Sequence, residues 1–230
     1  ASICPDLMTN GLRQVQDNTW RFIPPGYLST FWYTDDTKWR YVPYWGGGND
    51  NMQCDEINIL GQYDFTFKLP PVPFEGTWEL RMCAPEIQHF GMFQVYLGTD
   101  KNNPTPIGLP LDFRVAASNA KIGWRADPTD GDMDVIREID KTMRNNGYMK
   151  NNKHNGRPTS GGVVSMPMRA AEGDYIRLRK ILWNGNMKPD ETYYVRIKSV
   201  LNNTRTCCML DYFEMVPKSV YNGEKGEDPW

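Results

Sequence analysis

Aromatic side chains that could hold a ligand are concentrated in one stretch of the sequence, residues 20–45. Ten of these 26 residues are Trp, Tyr or Phe, whereas the chain's aromatic content of 13% would give about three. Residues 46–51 follow directly, with three glycines, two asparagines and one aspartate. Flat rings beside amide and carboxylate groups suit a pyranose sugar, because its C–H face stacks on a ring while its hydroxyls form hydrogen bonds.

The candidate ligand-binding residues lie where the aromatic stretch meets this glycine-rich run: Trp39, Tyr41, Tyr44, Trp45, Asn49 and Asp50. Trp39 and Tyr41 share one side of the segment if it is extended. The glycines then let Asn49 and Asp50 fold back over a sugar that is held on the rings. The sequence therefore predicts a stacking platform with polar groups beside it.

This prediction has two alternatives. Aromatic rings often fill a core instead of binding a ligand, and we expect this of Trp20, Phe22 and Phe31. If the binding platform lies elsewhere in the chain, the second choice is segment 183–186, which holds one tryptophan and two asparagines. The solvent exposure of the rings distinguishes a binding role from a core role, because a ring that binds a sugar must be accessible from solvent.

Sequence motifs of catalysis do not occur in this chain. GxSxG, HExxH, GxGxxG and the phosphate-binding loop are all missing, and the two histidines, His89 and His154, have no serine or cysteine nucleophile motif near them. We therefore expect a protein that is not an enzyme. A glycoside hydrolase stays an alternative, because such an enzyme needs only two carboxylates roughly 5–10 Å apart.

No cofactor is predicted, and a metal site is left open. The acidic turn at residues 127–134 is explained by capping of a following helix, although calcium also accepts carboxylate ligands. The spacing of this turn matches no EF-hand loop. The five cysteines contain no CxxC pair, which argues against a structural zinc site. They are either buried thiols or include a disulfide such as Cys4 to Cys54.

Charge and hydropathy argue against two classes of partner. Lys and Arg total 26 and Asp and Glu total 28, a formal net charge of −2. Binding to nucleic acid through release of counterions is therefore not expected. No apolar run approaches the roughly 20 residues of a membrane span, so no span is expected in this chain.

The elements that would position these residues are mostly strands. Apolar and polar residues alternate in four segments: 63–69, 78–82, 93–97 and 193–197. Alternation with period two puts the apolar set on one face of a half-buried strand, and clusters of Pro, Gly and Asn separate the segments. The pattern predicts an antiparallel β-sandwich. No shift in composition marks a boundary within residues 1–230, so a single domain is expected.

One helix is expected near residues 133–146. Asp130 or Asp132 can cap its start, and Ile139 and Met143 lie on the same side of it, one turn apart. Gly147 suits its end. The polar residues 145–162 are expected to form a loop.

Several segments resemble modules of known families. Residues 194–200 and 210–217, YVRIKSV and LDYFEMVP, resemble the closing strands of galactose-binding-like jelly rolls, which include family-six carbohydrate-binding modules. Another likeness is to the C-terminal module of fasciclin-domain surface lipoproteins, which occur in gut bacteria that take up glycans. The segments that carry it are 64–73, 76–81, 141–150 and 216–221.

The resemblance implies an all-β fold, an antiparallel jelly-roll β-sandwich of the galactose-binding-like type with one short surface helix. It implies a non-catalytic carbohydrate-binding module of a secreted lipoprotein, which assists glycan capture at the extracellular face of the outer membrane. Its partners would be a polysaccharide or oligosaccharide and surface glycan-uptake proteins. The alternative is a structural or adhesion module that mediates protein–protein contact at the cell surface. Family-six modules also bind a structural calcium, but Asp211 alone matches their acidic pattern, so calcium is unsupported here.

Overall fold

Short strands make up much of the part of the chain that this computed structural model describes, which is residues 29–42, 56–85, 91–150, 155–159, 162–166, 177–201, 207–210 and 212–221. The strands are β1 (Phe31–Tyr33), β2 (Lys38–Val42), β3 (Glu56–Leu60), β4 (Asp64–Lys68), β5 (Gly76–Pro85), β6 (Met92–Gly98), β7 (Thr105–Asp112), β8 (Tyr148–Lys150), β9 (Asn155–Thr159), β10 (Gly162–Met166), β11 (Arg177–Met187), β12 (Tyr194–Ser199), β13 (Cys207–Leu210) and β14 (Tyr212–Pro217). The described residues also contain one α-helix, α1 (Met133–Asn145), and a 3₁₀ turn (Lys218–Val220).

Two antiparallel sheets dominate this fold. The first has strand order β1-β4-β12-β6-β7, and the second has strand order β14-β5-β11-β8. β3 pairs with both β13 and β2, and β9 forms a hairpin with β10. When β13 and β14 are counted as successive halves of one strand, the orders β4-β12-β6-β7 and β3-β13/β14-β5-β11 are those of an eight-stranded jelly roll. The predicted all-β jelly-roll sandwich is therefore confirmed, and the described residues include the predicted helix.

The space between the two sheets is filled by the residues that alternation places on one face. Phe65 and Phe67 of β4 are buried, as are Leu80 and Met82 of β5. The centroid of the Phe67 ring lies 4.7 Å from that of Phe213 on β14, so side chains of the two sheets are in direct contact. All four alternating segments contribute buried residues to this core, which confirms their prediction as half-buried strands.

Helix α1 begins and ends close to the residues that the sequence predicts. The Asp132 carboxylate accepts hydrogen bonds from two backbone N–H groups of the first turn, which satisfies donors that have no partner within the helix. Gly147 follows the end of the helix with φ = +77°, a conformation that glycine adopts without strain. Ile139 and Met143 are buried in a second hydrophobic cluster that includes Leu178 of β11.

The expectation that residues 145–162 form a loop is wrong. The segment contains β8, where Lys150 lies opposite Leu178 of β11, and β9, where Arg157 lies opposite Val164 of β10. The loop was predicted from the polar composition of the segment alone. A β-strand, however, is defined by backbone hydrogen bonds to a neighbouring strand, which composition does not reveal. Polar residues at a sheet edge can form those bonds as well as apolar ones.

The described residues hold two hydrophobic clusters, the sandwich core and the smaller cluster beside α1. Whether residues 1–230 form a single domain stays a prediction. Cys83 and Cys208 are both buried. Within the described part of the chain, no helix has the length and apolar character needed to cross a membrane.

Candidate functional site

One row of residues crosses the side of the five-stranded sheet that faces away from the core. The register places Trp32 of β1 beside Thr66 of β4, and Thr66 beside Arg196 of β12. Arg196 in turn lies beside Tyr96 of β6, and Tyr96 beside Pro106 of β7. We call this side of the sheet the outer face. From Trp32 to Tyr96 the row spans three inter-strand steps, or about 14 Å.

Aromatic rings lie at both ends of this row. Trp32 is 39% exposed, and its ring meets that of Tyr194 edge to face, with centroids 5.8 Å apart. Lys101, from the turn between β6 and β7, places its Nζ atom 4.3 Å from the centroid of the Trp32 ring, a cation–π distance. The guanidinium carbon of Arg196 lies 5.3 Å from the centroid of the Tyr96 ring. Three rings and two cations therefore share this face.

A bidentate ion pair occupies the centre of the outer face. Arg196 donates from Nε to Oδ1 of Asp64 at 2.7 Å and from Nη2 to Oδ2 at 2.6 Å. These hydrogen bonds raise the pKa of Arg196 above its ordinary value, so the guanidinium stays charged. Lys198 Nζ lies 3.6 Å from the same carboxylate, and the backbone N–H of Asp64 donates to the Thr37 hydroxyl at 3.0 Å. Arg196 is thus held in one orientation.

Short-range hydrogen bonds build the turn that carries Lys101. The Asp100 carboxylate accepts a hydrogen bond from the backbone N–H of Asn102 at 2.9 Å, as aspartate commonly does in turns. The chain closes tightly at the start of this turn, since a Cβ atom at Gly98 would lie 3.0 Å from the Cα atom of Pro104. This local geometry positions Lys101 over the Trp32 ring.

Of the six residues predicted to bind sugar, Trp39 alone has a described side chain. Its ring meets Phe31 and Phe65 edge to face, with centroids 5.7 and 5.1 Å away, so it lines the rim of the core. Phe31, predicted to be a core ring, packs against the same core. Tyr41 follows on β2, where its backbone is described. Binding by this group of six stays a prediction.

Several other residues named from the sequence lie outside the described part of the chain. Those of the predicted platform and core are Tyr44, Trp45, Asn49, Asp50, Trp20 and Phe22. The others are His89, His154, Cys4, Cys54 and Asp211.

The second-choice segment, 183–186, lies on β11. The Trp183 ring packs against the sandwich core and covers Gly185, where a Cβ atom would come within 2.2 Å of that ring. Asn186 donates from Nδ2 to the Glu75 carboxylate at 3.1 Å. One side of the Trp183 ring is therefore occupied by the backbone of its own strand.

Sequence reasoning missed the outer face as a site. Trp32 belongs to the aromatic stretch, but Tyr96 and Tyr194 lie far from it along the chain. The three rings meet because β1, β4, β12 and β6 are neighbours in the sheet. A usable signal was present, because Tyr96 and Tyr194 occupy positions that alternate with the core residues, and a large ring there points away from the core.

The second sheet carries a different cluster on the side that faces away from the core. Glu79 and Arg81 of β5 alternate with core residues, yet they are only 3% and 1% exposed. Arg81 donates from Nε and Nη2 to Oε2 of Glu79 at 3.0 and 2.6 Å. From the last turn of α1, Arg144 donates from Nη2 to Oε1 of Glu79 at 2.5 Å. We call this side the covered face.

Further ion pairs extend this buried charged layer. Glu214 of β14 lies 3.6 Å from Arg81 and 3.7 Å from Arg179 of β11. Arg179 also donates to the backbone carbonyl of Lys150 at 2.8 Å, and the Lys150 ammonium is buried against the Asp127 carboxylate at 2.7 Å. These groups are held by one another and largely shielded from solvent, so we assign them a structural role.

The acidic turn that precedes α1 serves the helix. Asp130 accepts a hydrogen bond from the backbone N–H of Asp132 at 3.1 Å, Asp132 caps the helix, and Asp134 pairs with Arg137 at 2.9 Å. The prediction that this turn caps a helix is confirmed. In the described ranges, no three His, Cys, Asp or Glu residues are grouped so that they could hold a metal ion.

Neither a known protein family nor a curated protein sequence matches the chain. Two solved structures are similar to it in part. A xanthan lyase from Paenibacillus matches over 81% of this chain and 12% of its own length, with 14% identity and a TM-score of 0.35. The catalytic domain of Agl-KA matches over 82% of this chain and 27% of its own length, with 12% identity and a TM-score of 0.29. Similarity at this level assigns no activity to this chain.

Proposed function

We propose that this protein is a non-catalytic carbohydrate-binding module whose ligand, a polysaccharide or oligosaccharide, lies along the outer face. The observation that carries the proposal is the row of rings and charged groups across β1, β4, β12 and β6. The rings of Trp32 and Tyr194, which meet edge to face, lie at one end of the row, and the ring of Tyr96 lies at the other. The C–H face of a sugar stacks on such a ring, while neighbouring charged side chains form hydrogen bonds with the sugar hydroxyl groups.

The chemistry of the outer face favours binding over reaction. Both oxygens of Asp64 accept hydrogen bonds from Arg196, so this carboxylate is committed to an ion pair instead of serving as a nucleophile or base. A ligand on a sheet surface buries little area, and we expect a dissociation constant of about 10 μM to 1 mM. Such weak single-site binding is compatible with capture of a polymer that offers many sites.

A second candidate is a structural or adhesion module that contacts another protein. Trp, Tyr and Arg are the residue types that dominate the energetics of protein interfaces, and the outer face presents all three. Location at the cell surface, on the extracellular face of the outer membrane, is part of the proposal and rests on the resemblance to surface lipoprotein modules.

A binding screen with matched variants tests the proposed function. Wild-type protein is run in affinity gels that contain plant, fungal or host polysaccharides, and any glycan that retards it is taken into calorimetry. Trp32→Ala should weaken binding by about tenfold to a hundredfold, because a stacked ring contributes about 1–3 kcal/mol. The control Phe74→Ala removes an exposed ring that packs on Trp78 of β5, and it should bind like the wild type.

Two results would count against the proposal. Folded protein that binds no glycan in the screen would overturn it and favour the protein-contact candidate. If a glycan binds and Trp32→Ala retains full affinity, the ligand lies elsewhere, and the group around Trp39 becomes the first place to look.

A further inference from the structure

Cations outnumber carboxylates on the outer face. Four cations lie on it: Lys68, Lys101, Arg196 and Lys198. Asp64 is the carboxylate that faces them, and Asp112, at the far end of β7, is neutralised by a bidentate pair with Arg114 at 2.7 and 2.8 Å. Asp100, beside Lys101 on the same turn, adds a second negative charge, so four cations stand against two carboxylates among these described residues. The whole chain has a formal net charge of −2.

Asp64 does not neutralise this surface, because it already serves two cations. Both of its oxygens accept hydrogen bonds from Arg196, and Lys198 approaches one of them at 3.6 Å. The Lys198 side chain is 49% exposed, so much of its surface remains in contact with solvent. Lys68 is likewise exposed. Both ammonium groups are therefore placed to pair with an anion that arrives from solvent.

Lys101 makes Trp32 a selective stacking surface. Its ammonium lies 4.3 Å from the ring centroid. A neutral sugar that stacks on this ring therefore displaces the ammonium, and the cation–π interaction between Lys101 and Trp32 is lost. An acidic sugar keeps an equivalent interaction, because its anionic group pairs with the displaced ammonium. The neighbouring Asp100 accepts a hydrogen bond from the backbone of its own turn and keeps its negative charge.

We propose that the outer face selects an acidic polysaccharide, one whose sugars carry carboxylate or sulfate groups; this inference deepens the proposed function and rests on it. Trp32, Tyr194 and Tyr96 supply the stacking surface. Lys101 and Lys198 pair with anionic groups along the polymer. Arg196 is a positioning residue, since its guanidinium is held by Asp64 and orders the centre of the row.

Matched pairs of polymers test the inference on the full chain. Polygalacturonate is compared with its fully methyl-esterified form, and dextran sulfate with dextran, by calorimetry in calcium-free buffer. We expect at least one acidic polymer to bind about tenfold more tightly than its neutral partner. The better of the two acidic polymers identifies the anionic group. This preference should shrink as NaCl rises from about 50 to about 200 mM, because salt screens exposed charges.

Charge-neutralising variants locate the preference on the face. Lys101→Gln and Lys198→Gln should each lower the affinity for the preferred acidic polymer roughly twofold to fivefold, as expected for exposed ion pairs. Lys101→Gln should also narrow the difference in affinity between the acidic polymer and its neutral counterpart, because a neutral sugar then no longer displaces a cation from the Trp32 ring. The control is Lys141→Gln, which removes an exposed lysine of α1 and should leave every affinity unchanged.

The outcomes separate this inference from the proposed function. Equal affinity for charged and neutral partners, or binding to neutral glycans alone, would overturn the acidic-ligand inference and leave glycan binding intact. Tighter binding to a single-stranded oligonucleotide than to polygalacturonate would also overturn it. Failure to bind any glycan would overturn the proposed function itself.

Discussion

The outer face and the covered face both consist of residues that alternate with core residues along their strands, but the charged side chains of the two faces differ in burial. On the outer face, Asp64 and Arg196 form a bidentate pair whose side chains are 15% and 30% exposed. On the covered face, the Glu79 and Arg81 side chains form the comparable pair and are only 3% and 1% exposed. In both sheets the charged residues alternate with core residues. Alternation therefore determines which side chains point away from the core, but it does not determine which of these side chains are exposed to solvent.

The difference between the faces comes from what lies over each sheet. The last turn of α1 brings Arg144 onto Glu79, and the Arg144 guanidinium also lies 3.8 Å from the centroid of the Tyr221 ring. The charged residues beneath α1 and Tyr221 are buried, so each of them needs an oppositely charged partner, because an unpaired buried charge lowers the stability of the fold. Trp32 and Lys198 on the outer face keep substantial contact with solvent and remain accessible to a ligand.

Removal of one carboxylate from each face should break the comparison most clearly. Glu79→Gln removes the carboxylate that contacts both Arg81 and Arg144, and leaves Arg81 facing the more distant Glu214, so we expect it to cost about 3–5 kcal/mol in the free energy of unfolding. Asp64→Asn removes a partly exposed pair and should cost about 1 kcal/mol. Denaturation with urea, followed by tryptophan fluorescence, measures both. Equal losses of unfolding free energy for the two variants would show that burial beneath α1 does not make the Glu79 ion pairs more important for stability.

The cover itself can be tested within one helix. Arg144→Gln removes the contact with Glu79 and the stacking on Tyr221, and it should cost about 2 kcal/mol. The control Arg137→Gln lies two turns earlier in α1, where its pair with Asp134 is exposed, and it should cost about 0.5 kcal/mol or less. Hydrogen exchange of the α1 amides should accelerate in the first variant alone. Equal effects of the two substitutions would mean that Arg144 does not fasten the helix.

An effect as small as that of Asp64→Asn is expected at Tyr193, which lies in the connection between β11 and β12, one strand from each sheet. Its hydroxyl donates to Glu191 at 2.5 Å and accepts from the Lys188 backbone N–H at 3.0 Å. Burial, followed by the bond to Glu191, raises the Tyr193 pKa above its ordinary value of 10.0. The contribution of this group to stability is therefore complete below pH 10 and is lost as the pH rises through the higher pKa of the folded state.

Tyr193→Phe should accordingly cost about 1 kcal/mol near neutral pH. Its difference from the wild type should then shrink at strongly alkaline pH, where the wild type loses this contribution. Unfolding measurements on both proteins across the alkaline range check this, because titration of all other groups affects both alike. A difference that stays constant across this range would contradict the assignment.

Local chemistry made part of this fold predictable from the sequence. Asp132 and Gly147 mark the ends of α1 because capping depends on residues within a few positions. Phe65 and Phe67 mark a core strand because alternation is a property of one segment. Each of these predictions requires only neighbours in sequence, and each is confirmed by the structure.

The candidate site was not predictable in the same way, because it is built across strands. Trp32 and Tyr194 meet through the pairing of β1, β4 and β12, which brings together residues more than 100 positions apart. The burial of Glu79 and Arg81 likewise depends on α1, which begins 54 positions after Glu79. Neither a hydrophobic pattern nor a turn signal carries information about such remote partners.

The central claim, that a glycan lies on the outer face, is tested most directly by NMR mapping on uniformly ¹⁵N-labelled protein. The titrant is a short oligosaccharide of the tightest-binding glycan from the screen. We predict that shift changes concentrate on β1, β4, β12 and β6, with the Trp32 indole N–H and the amides of Thr66, Arg196 and Tyr96 among the largest. Changes confined to α1 or to the surroundings of Trp39, with the Trp32 indole unmoved at saturation, would contradict the account.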